Sequence, residues 1–140
     1  MKKIIIITFI WIGFIGAISF MESWLKFQAP NITTKLGLGI GKLVFGALNI
    51  LEVAFTLIIT SIILLSKKQQ ISYVFLIVVF VVALQTFWML PTLNERAELI
   101  IKGIQVPKSK LHFLYVLAEV IKVSCLFFFG INQLKKLTIK

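Results

Sequence analysis

Charge is scarce in this sequence, and acid is scarcest: 14% of its 140 residues are charged, and only 5 are Asp or Glu against 15 Lys and Arg. A soluble domain carries about a quarter of its residues as charges, so the shortfall excludes a water-exposed globular protein. Cysteine occurs once, as Cys125, which cannot close an internal disulfide and, among Leu126 and Phe127 to Phe129, reads as a small buried hydrophobe. Histidine also occurs once, as His112. That argues against a haem held by paired axial histidines, and the Glu-x-x-His and His-x-x-x-His spacings of helical metal sites are missing. No complete phosphate-binding loop is present either: Gly37-Leu-Gly39-Ile-Gly41-Lys42 follows no strand and is neither G-x-G-x-x-G nor a full Walker loop. The formal charge of +10 comes without a zinc spacing, a groove-reading helix or any other nucleic-acid motif, so no nucleic-acid partner is expected.

Apolar residues are what the sequence has in quantity: 59% are hydrophobic and the mean hydropathy is +1.03. They gather in four segments, at about 4–25, 41–65, 71–90 and 111–131. Each is near the roughly 20 residues that cross about 30 Å of hydrocarbon at 1.5 Å per residue. No length remains for a separate soluble domain, so residues 1–140 read as one transmembrane domain. Lys2 and Lys3 before an isoleucine run imitate a secretory signal, but the apolar run is too long and no small-residue cleavage site precedes Glu22. It is expected to stay as the first span.

Ile and Val dominate the first and third segments, which in water would favour strands. In hydrocarbon an unpaired strand leaves its backbone groups unsatisfied, and the alternation of a membrane barrel is absent. The expected fold class is therefore all-α, an integral membrane antiparallel four-helix bundle. Connections fall at about 27–38, at a tight turn over 66–70, and at a longer stretch over 91–110. In the last, Thr92-Leu-Asn-Glu95 is a capping box after Pro91, and Leu93, Ala97, Ile100, Ile101 and Ile104 recur at helical spacing. This predicts a short amphipathic helix, either lying at the interface or continuing the third span past a kink, with Gly103 as its stop and Ser109 as the cap of the fourth helix.

Orientation follows from where the basic residues crowd. Seven (Lys2, Lys3, Lys67, Lys68, Lys135, Lys136, Lys140) lie on one side in short flanks without acids. Seven more (Lys26, Lys35, Lys42, Arg96, Lys102, Lys108, Lys110) lie on the other, diluted in longer loops beside Glu22, Glu95 and Glu98. Density then puts both termini in the cytoplasm. Trp24 and Trp88 fall where an aromatic belt is expected, and Trp11 requires no cofactor.

With that topology nearly all intramembrane polar residues fall in the outer half. Ser19, Glu22 and Lys26 share a face of the first helix; Lys42, Asn49 and Glu52 follow on the second; Gln85 and Trp88 lie on adjacent turns of the third. On the fourth, His112, Tyr115, Glu119 and Lys122 are spaced 3, 4 and 3 and form one stripe. An ion at the bilayer centre costs roughly 2.5–3.5 kcal/mol on insertion scales. Glu52, Glu119 and Lys122 should therefore point inward, with Lys122 pairing with Glu119 in its own helix or with Glu52 across the bundle. Two readings stand: the charges are a packing and register device, or they line a polar cavity for a small ligand, proton or ion. With Arg96 at the third connection, the candidate binding set is Glu22, Lys26, Lys42, Asn49, Glu52, Gln85, Arg96, His112, Tyr115, Glu119 and Lys122. His112 with Glu22, Glu52 and Glu119 would be the donors of any iron, manganese or zinc site, though a lone His near a helix start with Tyr115 one turn on reads first as an interfacial hydrogen-bonding residue. No cofactor is expected, and no nucleophile stands at useful spacing from a base, so catalytic residues are not assigned.

Small residues offer close packing at Gly37, Gly41 and Gly46 and at the Gly13/Ala17 pair. Asn31-Ile-Thr33 matches a glycosylation sequon that would matter only in a eukaryotic secretory membrane. Four stretches, Phe20-Met-Glu-Ser-Trp-Leu-Lys-Phe-Gln-Ala-Pro30, Gly41-Lys-Leu-Val-Phe-Gly-Ala-Leu-Asn-Ile-Leu-Glu52, Leu84-Gln-Thr-Phe-Trp-Met-Leu-Pro-Thr-Leu-Asn-Glu-Arg-Ala97 and Leu111-His-Phe with Glu119 and Lys122, together resemble a family of small, functionally uncharacterised bacterial membrane proteins of Bacteroidetes type. More distantly the layout is similar to the four-helix family around transmembrane protein 205, although this chain has Lys-Phe-Gln-Ala-Pro at the end of the first helix and places Arg96 after an extra acidic residue. The resemblance implies architecture and a bacterial cytoplasmic membrane; it transfers no catalytic residue. The expected function is handling of a small molecule, proton or ion at the polar cluster. The alternatives are a structural or accessory subunit of a membrane complex and, third, a metal- or redox-dependent membrane enzyme. Expected partners are the lipid bilayer and either a membrane protein or a second copy of the chain.

Overall fold

The computed structural model describes residues 2–66 and 71–138. Residues 67–70 of the expected turn, with Lys67, Lys68 and Lys140 of the orientation argument, lie outside the described residues. The described residues form four long helical rods: α1 (Lys2–Gln28), α2 (Thr34–Leu65), α3 (Tyr73–Ile101) and α4 (Leu111–Thr138). Each is apolar and long enough to cross a membrane. Their 27 to 32 residues correspond to about 40–48 Å at 1.5 Å per residue, more than the roughly 30 Å of hydrocarbon. All four therefore project beyond the oil, and their ends carry the polar connections.

The rods pack in cyclic order, α1 on α2 and α4, and α3 on α2 and α4. Two apolar layers fill the bundle. One, near the chain termini, joins Trp11 and Ile15 of α1, Ile59 and Ile63 of α2, Phe75 and Val78 of α3, and Leu126 and Phe129 of α4. Phe75 and Phe129 stack there with ring centroids 5.0 Å apart. The other, towards the 29–33 and 102–110 connections, joins Val81, Met89, Leu111, Tyr115 and Ala118, with Phe45, Leu84 and Leu93 against them. Leu43, Ile50, Leu65 and Phe87 point outward, which is costly in water and natural against acyl chains.

The helices differ from the sequence expectation at their ends. α2 begins at Thr34, ahead of the 41–65 segment, because Thr33 caps it: its side chain accepts the Leu36 N–H at 3.2 Å. α4 begins as expected, with the Leu111 N–H donating to Ser109 Oγ at 3.1 Å. It also runs past 131 to Thr138, where Lys135 and Lys136 sit in the last turn and complement the helix dipole.

The stretch after Pro91 is no separate interfacial helix; of the two expected arrangements, continuation of the third span is the one found. A π-helical turn, Gln85–Met89, precedes it, and the Leu90 N–H reaches back five residues to the Gln85 carbonyl. The ladder changes step just before Pro91, whose ring nitrogen has no hydrogen to give. The Thr92 hydroxyl consequently donates to the Trp88 carbonyl at 2.8 Å rather than capping a new helix. Gly103 stops α3 as expected: with φ +84°, its N–H goes to Ile100 and the Ile104 N–H to Leu99, the paired bonds of a Schellman end. α1 has its own π-helical turn, Gly16–Glu22, with the Ser23 N–H on the Ile18 carbonyl.

Of the small residues, Gly37 and Gly41 do pack closely. A Cβ at Gly37 would overlap the Phe27 ring, and one at Gly41 would meet Lys26 Nζ at 3.0 Å. Gly13 and Gly46 face open space, so the expected Gly13/Ala17 contact is not made. The close approach of α1 and α4 occurs instead at Gly130, where a Cβ would come within 3.1 Å of the Phe9 ring.

Candidate functional site

Between the two apolar layers, near mid-length of the rods, side chains from α2, α3 and α4 converge on one ammonium. Lys122 Nζ lies 2.5 Å from Glu52 Oε1, 3.1 Å from Glu119 Oε1 and 2.6 Å from Gln85 Oε1. Of the three contacts of this ammonium, those to Gln85 and Glu119 are hydrogen bonds and that to Glu52 is an ion pair. Both of the pairings expected of Lys122 are thus made at once. Gln85 works from both ends of its amide: its oxygen accepts from Lys122 and its Nε2 donates to Glu119 Oε1 at 2.9 Å. Trp11 completes the ring, its indole N–H donating to Glu52 Oε1 at 3.0 Å. Trp11, Glu52, Gln85 and Lys122 have no exposed surface at all.

The local sequence accounts for the convergence. Glu119 and Lys122 are three apart on α4 and share a face. Gln85 opens the π-helical turn of α3, which rotates the chain relative to a regular helix and brings its amide inward. Trp11 belongs to the row Ile4, Thr8, Trp11, Ile15 that α1 buries; a tryptophan there is far from the interfacial belt and keeps its N–H on a partner.

The cluster is satisfied on one side and open on the other. Two carboxylates meet one ammonium, and Glu52 Oε2 and Glu119 Oε2 are buried without a hydrogen-bond partner among the described residues. So is the hydroxyl of Tyr115, one turn before Glu119 on the same face. The Tyr115 ring stands edge-on to Phe45 at 5.7 Å and forms part of the wall of a cleft of about 290 Å³.

That cleft opens at the end of the bundle carrying the 29–33 and 102–110 connections. Lys26, Lys42 and His112 line it among Phe27, Phe45 and Leu93. Lys26 pairs with Glu22 at 3.2 Å, one turn earlier on α1, and its Nζ lies 5.5 Å from the centre of the Phe45 ring. Lys42 pairs with Glu98 of α3 in a partly exposed bridge.

The expected polar set thus divides into two levels. Glu52, Gln85, Glu119 and Lys122 share the mid-length cluster; Lys26, Lys42, His112 and Tyr115 share the cleft, with Glu22 behind Lys26. Two residues belong to neither. Asn49 Nδ2 donates to the Thr86 hydroxyl at 2.9 Å and ties α2 to α3, and Arg96 donates to the Pro107 carbonyl, fastening the 102–110 connection. His112, Glu22, Glu52 and Glu119 are not gathered as metal ligands, and among the described residues no three His, Cys, Asp or Glu side chains are so placed. Sequence reasoning missed Trp11, whose position at mid-span was the available signal, and the two π-helical turns, which have no sequence signature in this chain.

Searches of protein-family models, curated proteins and solved structures find no match to this chain.

Proposed function

We propose that this multi-pass membrane protein handles a small molecule, proton or ion at the Glu52–Glu119–Lys122 cluster, reached through the cleft that ends at Tyr115. The observation that carries the reading is the charge count: two buried carboxylates share one ammonium, and each keeps an unpartnered oxygen. A region of low dielectric penalises a net charge heavily, so the excess carboxylate calls for one more positive charge, a proton or a small cation. A pure packing device would favour balanced charges, and one Glu fewer would supply them. The burial of Glu52, Gln85, Glu119 and Lys122 within this chain supports this reading over one in which the cluster docks a partner helix. The density of Lys at the chain termini and the resemblance to small bacterial membrane proteins support a cytoplasmic membrane with both termini inside, so that the cleft opens outward.

Infrared difference spectra of the protein in lipid test this. A protonated-carboxyl band that titrates with pH, and that Glu119→Gln or Glu52→Gln removes while the protein stays folded, is the expected result. Spectra without any titrating carboxyl in a folded protein would leave packing as the cluster's role.

A further inference from the structure

The cleft has chemistry of its own, separate from the cluster beneath it. Its charged lining is all of one kind: Lys26 and Lys42 contribute to it and no Asp or Glu does, Glu22 and Glu98 pairing with them from outside the lining. Its remaining wall is largely apolar, built from Phe27, Phe45 and Leu93 among others. At its buried end the hydroxyl of Tyr115, a residue 2% exposed, has no hydrogen-bond partner among the described residues, with the Glu119 carboxylate nearby. Trp24 and Trp88 are exposed on neighbouring turns, which puts the cleft at the depth where aromatic rings meet lipid headgroups.

From this arrangement we infer that the cleft binds a membrane amphiphile with an anionic head, a single acyl chain ending in a carboxylate being the form committed to. The head lies against Lys26 and Lys42 and accepts from Tyr115; the first carbons lie on the aromatic wall. Size fits this ligand better than a larger one, since about 290 Å³ is below the roughly 300–1,000 Å³ of sites that enclose a whole drug-sized molecule. The cleft is not closed over, so the rest of the chain can extend out of it. Lys42 is available for the head because its bridge to Glu98 is partly exposed, and such bridges hold weakly.

The test uses the full chain in phosphatidylcholine vesicles with spin-labelled stearic acid and its methyl ester, at a pH where the acid is ionised. The protein should immobilise the acid about fivefold in preference to the ester, the scale of one basic residue against an anionic head. Lys26→Gln should remove most of that preference. Lys42→Gln, a partly exposed change that leaves the fold intact, should lower it measurably. Leu43→Ala on the lipid-facing side should not change it. Equal immobilisation of acid and ester, or a preference that survives both lysine changes, would overturn the inference. So would displacement of the acid by inorganic phosphate, because the site would then read an anion without a chain. Glu119→Gln is expected to leave the preference in place, so failure here and failure of the proton or ion reading are told apart.

Discussion

Lysine meets glutamate in both the mid-length cluster and the cleft rim, yet the two meetings do opposite work. At the rim, Lys42 and Glu98 pair across α2 and α3 while both remain partly exposed, where water and salt would compensate either charge alone. At mid-length, Lys122 has no exposed surface, and its partners Glu52 and Glu119 are equally enclosed. Nothing else can satisfy them there. The same chemical pair is therefore a minor accessory at one level and an obligate unit at the other, and the difference is burial rather than residue type.

Lys122→Met sharpens the contrast most. It strands two carboxylates in the core and should cost about 3–5 kcal/mol, seen as a large drop in unfolding free energy in detergent or lipid. Adding Glu52→Gln and Glu119→Gln to it should recover much of that loss, since an uncharged core no longer has ions to compensate. Trp11→Phe comes next: it keeps the aromatic volume and removes one bond to a charged acceptor, for an expected loss of about 1.5–3 kcal/mol by the same measurement. Gly103→Ala puts a Cβ on a residue with φ +84° and should cost about 1–2 kcal/mol at the end of α3. At the rim, Lys42→Gln should leave the unfolding midpoint unchanged within error. A large loss from Lys42→Gln would erase the distinction between the two levels.

Much of the architecture could be read from the chain because the oil imposes it. Four runs of about twenty apolar residues have few other fates, and Glu52, Glu119 and Lys122 within them had to turn inward. The start of α2 was harder to see, since residues 34–40 include Thr34, Lys35, Gly37 and Gly39 and are less apolar than the run that follows. Thr92-Leu-Asn-Glu95 has the pattern of a capping box but is not one here, because the π-helical turn lets α3 run through Pro91 without a break. Trp11 escaped notice for a related reason. Interfacial preference explains Trp24 and Trp88, whereas Trp11 is fixed by a tertiary partner 41 positions away in sequence, and local pattern does not encode such a contact. The division of the polar residues into a cluster and a cleft was also hidden, because depth along a helix depends on where each helix ends.

A double-mutant cycle between Glu52→Gln and Lys122→Met, read as unfolding free energy in one lipid or detergent, tests most directly whether these groups form one buried unit. The geometry predicts a coupling of at least about 1 kcal/mol, within the 0.5–3 kcal/mol seen for residues in direct contact. Effects that simply add, to within about 0.3–0.5 kcal/mol, would mean that Glu52 and Lys122 do not meet inside the bundle, and would contradict the account.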